Sequence, residues 1–237
     1  TPDDAQQWED LLLEAFRADD LDHWLPRLQA SPDVAFEVAG TSEEGLAHPQ
    51  IIHNGDVVAV DDATHGAVLQ VGPVGHFHKT PIVPQRSAPD LGSHAGGFVA
   101  HDLPTGGAPN PAHPLAGITV VEFGYFYAMP HATATLAALG ARVIKIEDGT
   151  GDPYRRSFGP EIASNKTMAA KESLSIDLRT AEGRAIAQQV VAQADVFVTS
   201  FRSGVADKMG LGYDDLRALN PKLLYVHAAG YGTDGPY

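Results

Sequence analysis

Strand and helix patterns alternate through the second half of the chain, and this alternation limits the possible folds more than any other feature. Residues 118–123 (ITVVEF) form an apolar run, residues 130–139 have helical periodicity, and residues 142–147 (RVIKIE) form the next apolar run. The same order repeats as far as residues 222–230 (KLLYVHAAG). Such spacing is typical of a parallel sheet joined by right-handed helical crossovers. We therefore predict an α/β fold for residues 114–237, with a Rossmann-like parallel sheet and flanking helices.

The first half of the chain has a different pattern and predicts a smaller α+β segment over residues 1–98. The expected elements are two helices over 4–29, a strand over 33–40, a short helix over 41–50 capped by Thr41 or Ser42, and antiparallel strands over 51–60 and 67–72 with Asn-Gly and Asp-Asp turns. Residues 75–114 are rich in Gly, Pro, Ser and His without apolar periodicity. This composition indicates a linker or an extended crossing segment.

The net charge of −14 lies almost entirely in the first half of the chain. Residues 1–110 hold 4 Lys/Arg against 17 Asp/Glu, whereas residues 111–237 hold 12 against 13. We expect any anionic ligand to bind in the second half. An acidic chain without a basic stripe predicts no nucleic-acid partner and no anionic membrane partner, because both require phosphate neutralisation.

Cysteine is absent from the chain, so the sequence offers no disulfide framework and no thiol nucleophile. No apolar run approaches the ~18–20 residues that span a membrane, which favours a cytoplasmic protein. The chain begins with Thr1 rather than Met and stops at Tyr237 within GTDGPY, so we expect a piece of a longer protein.

Ligands of such sheets bind at the carboxyl ends of the strands, where this chain is aromatic rather than glycine-rich. The first strand is followed by GYFYAMPHA. GYGTDG at 230–235 matches G-x-G-x-x-G, but Pro236 follows instead of a helix, so a plain turn is favoured over a nicotinamide-binding site. Phe201 could stack on a purine and Lys208 could reach a phosphate, although a core aromatic and a solvated charge are the commoner roles.

Histidines and one aspartate form the remaining candidates. His76 and His78 share one face of an extended segment, but no further ligand completes a site, and we expect no metal. His131 lies at a predicted helix start, where a general base and a structural residue are equally compatible. Asp177 could orient a ligand or pair with a neighbour, and pairing is favoured.

Residues 114–237 resemble, nearly end to end, the opening part of family III CoA-transferases, the CaiB/BaiF group that includes α-methylacyl-CoA racemases. The resemblance is carried by PLAGITVVEF, HATATLAALGARVIKIE, KESLSIDLRTAEG and ADVFVTSFRSGVADKMGLGYDDLRALNPKLLYVHAAGYGTDGPY. Residues from about 6 to 98 resemble the closing part, with AHPQIIHNGDVVAVDDATHGAVLQVGPVGHF and PIVPQRSAPDLGSHAG. The segment that resembles the closing part of the family thus comes before the segment that resembles its opening part. This order predicts a tandem protein, in which residues 1–98 end one unit, residues 99–113 are the linker, and residues 114–237 begin the next unit.

The resemblance implies acyl-CoA chemistry. An Asp carboxylate attacks a thioester to form an acyl-enzyme anhydride, and CoA passes to another carboxylic acid, so CoA is a substrate and no cofactor is expected. In the racemase branch a His and an Asp move the α-proton instead. Both kinds of catalytic residue match positions beyond Tyr237, so no catalytic residue is predicted in this chain. An interlocked homodimer or a pairing of tandem units is expected, and a non-catalytic structural unit is the alternative.

The resemblance also implies which residues contact CoA. They are Phe126 after the first strand, Ile176 and Arg179 around IDLR, and Ser200, Phe201 and Lys208 in the adenine and phosphate segment. Several departures from the family pattern predict weak binding: Asp148 where a basic residue is common, Ser200 in place of Asn, Ala229 where Lys occurs, and AAKES in place of NRNKRS. Lys145, Arg155 and Arg156 flank the same loop and could compensate by reaching a phosphate.

Overall fold

The computed structural model describes residues 2–31, 33–73, 75–82, 87–89, 91, 113–157 and 166–236, and of residues 2 and 3 only the backbone. The chain divides into two compact units, Thr1–Ala47 and His48–Tyr237. All of the predicted linker over residues 99–113 except His113 lies outside the described residues. The boundaries 1–98, 99–113 and 114–237 therefore stay predictions.

The first unit contains helices α1 (Pro2–Ala18), α2 (Leu21–Gln29) and α3 (Ser42–Leu46). Asp20 caps α2 by accepting a hydrogen bond from the His23 amide at 3.1 Å, and Thr41 forms a capping box with Glu44. These helices confirm the sequence predictions. The strand predicted over residues 33–40 is wrong, because those residues belong to no strand. An apolar alternation becomes a strand only beside a partner strand, and the described residues of this unit provide none.

The second unit begins with helix α4 (Pro49–Asn54) and the antiparallel hairpin of β1 (Val57–Asp62) and β2 (Gly66–Val71). The prediction of a strand from residue 51 is wrong for residues 51–54, which are helical. Gly55 ends α4 with a left-handed φ of 76°, so the Asn-Gly pair closes a helix rather than a hairpin. The hairpin turn follows Asp62, whose carboxylate accepts the amides of Thr64 and His65.

The main sheet is parallel and has the strand order β5-β4-β3-β6-β7. Its strands are β3 (Thr119–Phe123), β4 (Arg142–Glu147), β5 (Lys171–Ser175), β6 (Val196–Thr199) and β7 (Leu224–His227). The helices of this region are α5 (Ala128–Ala138), α6 (Tyr154–Ser157), α7 (Ala181–Val191), α8 (Val205–Lys208) and α9 (Tyr213–Leu219). The predicted α/β class and Rossmann-like parallel sheet are confirmed. In the described part of the chain no helix is both long enough and apolar enough to cross a membrane.

The core forms one apolar cluster on each face of the sheet, because successive side chains of a strand point to opposite faces. Val121 packs with α7, α8 and α9 through residues such as Ala187 and Leu216. Val120 packs on the other face with Met129 and Ala137 of α5. β4 and β5 lie successively on one side of β3, and β6 and β7 lie successively on its other side. The loop after β3 leads to α5 on one face of the sheet, and the loop after β6 leads to α8 on the other face. The carboxyl ends of β3 and β6 are therefore the switch point at which such sheets bind ligands.

Candidate functional site

The switch point at the carboxyl ends of β3 and β6 is the candidate site. Residues 124–127 follow β3, and Ser200 and Phe201 follow β6. The two loops approach closely at Gly124, where a Cβ atom would lie 2.6 Å from the Ser200 Oγ. A larger residue at position 124 would therefore push the two loops apart.

Several aromatic rings lie at this switch point. The ring of Phe201 lies 4.4 Å from that of Phe123 and 5.1 Å from that of Tyr125, measured between centroids. Phe126 and Tyr127 are half-exposed, at 49% and 50%. The site thus combines packed aromatic rings with half-exposed ones, although one face of the Tyr127 ring is covered by His131. A half-exposed ring suits the stacking of a planar heterocycle.

A buried ionic network lies directly beneath the aromatic turn. The carboxylate of Glu122 accepts hydrogen bonds from Lys145 Nζ at 2.7 Å and Lys171 Nζ at 2.6 Å. Thr133 Oγ1 lies 2.5 Å from the same carboxylate, and Asp152 Oδ2 forms an ion pair with Lys145 Nζ at 3.0 Å. Burial lowers the pKa of Lys171, while the charge of Glu122 opposes that change. The two carboxylates and two ammonium groups balance in charge, as burial requires.

A second ion pair continues the network at the end of β4. Glu147 accepts two hydrogen bonds from the Arg155 guanidinium, at 2.9 and 2.7 Å, and others from the Ser173 hydroxyl at 2.5 Å and the Asp152 amide at 2.8 Å. Burial alone would raise the pKa of Glu147, but these donors lower it to about 2. The loop that carries Asp152 is thereby tied to the sheet.

The six residues predicted to contact CoA occupy different parts of this edge. Ser200 and Phe201 follow β6 beside the turn after β3, and the Phe201 ring contacts Tyr125 of that turn. The Phe126 ring instead lies 6.2 Å from that of Tyr154. Ile176 follows β5 and packs against the same apolar cluster as Phe201. Arg179 is exposed and forms two hydrogen bonds with Asp177, each 2.8 Å. Lys208 is exposed at the last residue of α8. Their contacts with CoA stay predictions.

The pairing of Asp177 is confirmed by this contact. Hydrogen bonds from the Arg179 side chain and backbone lower the pKa of Asp177 to about 2. Both side chains are exposed, 84% for Arg179 and 44% for Asp177, so the pair contributes little stability. Arg179 can therefore exchange Asp177 for another anion at small cost.

The compensating cations expected from the sequence are engaged elsewhere. Lys145 is 1% exposed, so the expectation that it reaches a phosphate is wrong. Arg155 binds Glu147, and Arg156 donates to the backbone oxygen of Thr150. The position of Lys145 inside the apolar run RVIKIE indicates that its side chain is buried, but the sequence does not show which carboxylates it pairs with.

Asp148 occupies the rim of the site, immediately after β4. Its carboxylate accepts hydrogen bonds from the amide and hydroxyl of Thr150, each at 2.7 Å. These hydrogen bonds lower the pKa of Asp148, so the group carries its charge at neutral pH. A negative charge at this position would oppose a phosphate, and the weakening of CoA binding expected from it stays a prediction.

His131 lies in the first turn of α5, and its ring stacks on Tyr127 with centroids 5.2 Å apart. Its Nδ1 is buried and has no hydrogen-bond partner among the described residues. A general base and a structural residue both remain compatible with this position. His76 pairs with Asp56 at 2.8 Å, and the part of the chain that is described contains no group of three potential metal ligands.

The glycines of GYGTDG serve a contact with α4. Gln50 Nε2 donates to the Asp234 carbonyl at 2.7 Å, and Asn54 Nδ2 donates to the Tyr231 carbonyl at 3.1 Å. A Cβ atom on Gly232 would overlap the Asn54 amide, and one on Gly235 would overlap the Gln50 amide. Residues 231–236 form no helix, and the preference for a plain turn over a dinucleotide motif stays a prediction.

Comparisons with known proteins give the family. A family model described as CoA-transferase family III matches residues 2–95 and 115–237. Succinyl-CoA--D-citramalate CoA-transferase of Chloroflexus aurantiacus is 40% identical over 134 residues, 54% of this chain and 33% of that protein. Succinate--glutarate CoA-transferase of Agrobacterium fabrum is 40% identical over 141 residues, 54% of this chain and 35% of that protein.

The crystal structure of Rv3272 from Mycobacterium tuberculosis is 38% identical, with a TM-score of 0.51, and the match covers 54% of this chain and 36% of that one. The chain thus spans about a third of the length of the curated relatives it matches. The family model covers most of the chain, and the described sheet is the α/β sheet that the family resemblance predicts. The chain belongs to CoA-transferase family III, the CaiB/BaiF group.

Proposed function

We propose that this chain supplies the CoA-binding part of an enzyme that moves CoA from an acyl-CoA to a carboxylic acid. The observation that carries the proposal is the group of aromatic side chains at the carboxyl ends of β3 and β6, in a chain whose relatives are named as CoA-transferases. A crevice at this position is where sheets of this order bind nucleotides. The adenine ring stacks on Phe126 or Phe201, and the phosphates lie toward Arg179 and Lys208.

Binding of CoA to this chain is weak in this proposal. Asp148 adds a negative charge at the rim, Arg179 is paired with Asp177, and Lys145 is buried. A charge-assisted hydrogen bond contributes ~1.5–3 kcal/mol. Each such bond to a CoA phosphate that this chain does not form therefore weakens the affinity for CoA. We expect a dissociation constant near ~1 mM, or about −4 kcal/mol.

The chemistry follows from the family resemblance. An Asp carboxylate oxygen attacks the acyl carbonyl carbon, the carbon–sulfur bond breaks, and an acyl-enzyme anhydride forms while the CoA thiolate leaves. The CoA thiolate then attacks the Asp carbonyl carbon of the anhydride, which releases the first acid as a carboxylate and leaves an Asp–CoA thioester. The acceptor carboxylate attacks this thioester to form a second anhydride and frees the thiolate, and the thiolate attacks the acceptor carbonyl carbon, giving the new acyl-CoA and restoring the Asp carboxylate. The attacking Asp corresponds to a position beyond Tyr237, so this chain binds and orients CoA rather than performing the attack. CoA is a substrate in this scheme, and the scheme uses no cofactor.

The arrangement of units is part of the proposal. Residues 1–98 close one family unit and residues 114–237 open the next, within a cytoplasmic protein. Pairing of the two units, or an interlocked homodimer, completes the binding sites for the acyl-CoA and the acid. The contacts of α4 with the Tyr231 and Asp234 carbonyls support an association between the two matched segments.

A non-catalytic structural unit is the second candidate, and the charge of Asp148 at the rim favours it. Such a unit keeps the fold and binds no CoA. Racemisation has less support, because the relatives compared here are named for CoA transfer.

Calorimetric titration of CoA into the 237-residue protein separates these candidates. We expect binding near ~1 mM that weakens about fivefold in Lys208→Ala, or ~1 kcal/mol, the upper range for an exposed ion pair. Lys222→Ala is the matched control, since this exposed lysine precedes β7 and therefore lies at the amino ends of the strands, away from the candidate site at their carboxyl ends. No heat of binding at several times that concentration would favour the structural unit, and equal affinities in the two variants would remove Lys208 from the site.

A further inference from the structure

The aromatic turn after β3 is held at both ends by one buried ion pair. Lys145 Nζ donates to the Gly124 carbonyl at 2.5 Å, and Asp152 Oδ1 accepts the Phe126 amide at 3.1 Å. The two side chains contact each other through Asp152 Oδ2 at 3.0 Å, and they are 1% and 0% exposed. The turn that carries Tyr125 and Phe126 is thus clamped by charges that water does not reach.

The conformation of Phe126 requires such a clamp. Its φ is +67°, in the left-handed region that residues other than glycine rarely adopt. An isolated turn with this sequence would therefore populate other conformations. The half-exposed ring of Phe126 lies 6.2 Å from the Tyr154 ring, measured between centroids. Its placement depends on this backbone conformation, so the clamp sets the conformation of the aromatic turn at the candidate site.

Asp152 is itself fixed from the sheet. Its amide donates to Glu147 Oε1 at 2.8 Å, and its Oδ1 also accepts the Tyr154 amide at 2.9 Å at the start of α6. A line of buried contacts therefore runs from the end of β4 through Asp152 to the Phe126 amide. Glu122 lies 2.7 Å from Lys145, so Asp152 is not needed merely to give that ammonium a carboxylate partner.

We propose that Asp152 is a positioning residue for CoA binding, which presets the turn at residues 124–127 through the Phe126 amide. This inference rests on the proposed function and adds a residue that does not contact the ligand. A preset turn avoids the loss of affinity that a protein incurs when only a fraction of its molecules are competent to bind. A residue with a purely structural role would change stability without changing the turn.

Asp152→Asn and Asp152→Ala separate positioning from charge pairing. Asparagine keeps an oxygen for the Phe126 amide but loses the ion pair with Lys145, whereas alanine loses both. We expect both variants to be less stable in urea, but only Asp152→Ala to bind CoA about tenfold more weakly. Thr133→Val is the matched control, because it removes a buried hydrogen bond to Glu122 without contacting the turn.

Chymotrypsin cleavage after residues 125–127, located by mass spectrometry, reports on the turn without CoA. We expect cleavage of Asp152→Ala to be about tenfold faster, with Asp152→Asn and Thr133→Val near the unmodified protein. Should Asp152→Ala not fold, Lys145→Met/Asp152→Ala is compared with Lys145→Met/Asp152→Asn. Both variants lack the Lys145 contact with the Gly124 carbonyl and leave no buried ammonium unpaired there, so they differ only in the oxygen that accepts the Phe126 amide. Equal cleavage rates or equal CoA affinities in the folded alanine and asparagine variants would overturn the inference. If the unmodified protein binds no CoA, the proposed function fails, and the cleavage rates alone decide whether Asp152 positions the turn.

Discussion

Replacing Glu147 by glutamine is expected to remove much of the acid sensitivity of folding. Glu147 is 2% exposed and accepts hydrogen bonds from Arg155, Ser173 and the Asp152 amide. Burial raises its pKa, but these donors lower the pKa from 4.5 to about 2. A glutamine keeps an oxygen for some of these bonds and loses the charge.

The direction of the effect follows from proton binding. The folded state holds this carboxylate ionised well below the pH at which the unfolded chain becomes protonated. Stability from Glu147 is therefore present above pH 4.5 and is lost as the pH falls toward 2. The pKa difference corresponds to about 3 kcal/mol, since each tenfold change in proton affinity is about 1.4 kcal/mol. That is a large share of the ~5–15 kcal/mol typical of a folded domain.

Urea unfolding followed by circular dichroism, at several pH values between 3 and 7, measures this contribution. At pH 7 Glu147→Gln is expected to be less stable than the unmodified protein by about 3 kcal/mol, and the difference shrinks toward zero in acid. Glu172→Gln is the control, because Glu172 also pairs with an arginine, Arg142, but both side chains are more than half exposed. It should cost at most ~1 kcal/mol.

The reasoning about Glu147 fails if the free energy of unfolding has the same pH slope between 4.5 and 3 in Glu147→Gln and in the unmodified protein. It also fails if Glu172→Gln removes as much of the slope as Glu147→Gln does. Either result would mean that the burial of Glu147 does not strengthen its pairing with Arg155.

Two further perturbations test the buried charges and the glycine-rich loop. Lys171→Met leaves the buried Glu122 with one cation fewer and should lower the free energy of unfolding in urea by about 3 kcal/mol. The double variant Lys171→Met/Glu122→Gln should lose less than the sum of the losses in the two single variants, and simple additivity would contradict the contact between these side chains. Gly232→Ala should cost more than ~1 kcal/mol, because its φ is +101° and a Cβ would overlap Asn54. Gly230→Ala, with open space around the added atom, should be nearly neutral, and equal thermal stability of both variants would refute the packing of α4 on this loop.

The sequence by itself determined the α/β class and most of the helix and strand positions. Apolar periodicity and capping side chains act over a few residues, so they can be interpreted without the fold. Thr180 illustrates such a local signal, because its hydroxyl accepts the Gly183 amide only three residues ahead and caps the start of α7. The switch from strand to helix at each loop likewise predicted the edge of the sheet where the site lies.

Only the tertiary structure decided the partners of the charged groups. Glu122 and Lys145 stand opposite each other in the β3–β4 register, and Asp152 reaches the same ammonium from a later loop. Lys145 therefore becomes a buried clamp rather than a free cation for phosphates. In the same way residues 33–40 meet no partner strand and residues 51–54 become helical. These outcomes depend on contacts between segments far apart in the chain, and hydrophobic periodicity carries no information about which distant segment completes a hydrogen bond or an ion pair.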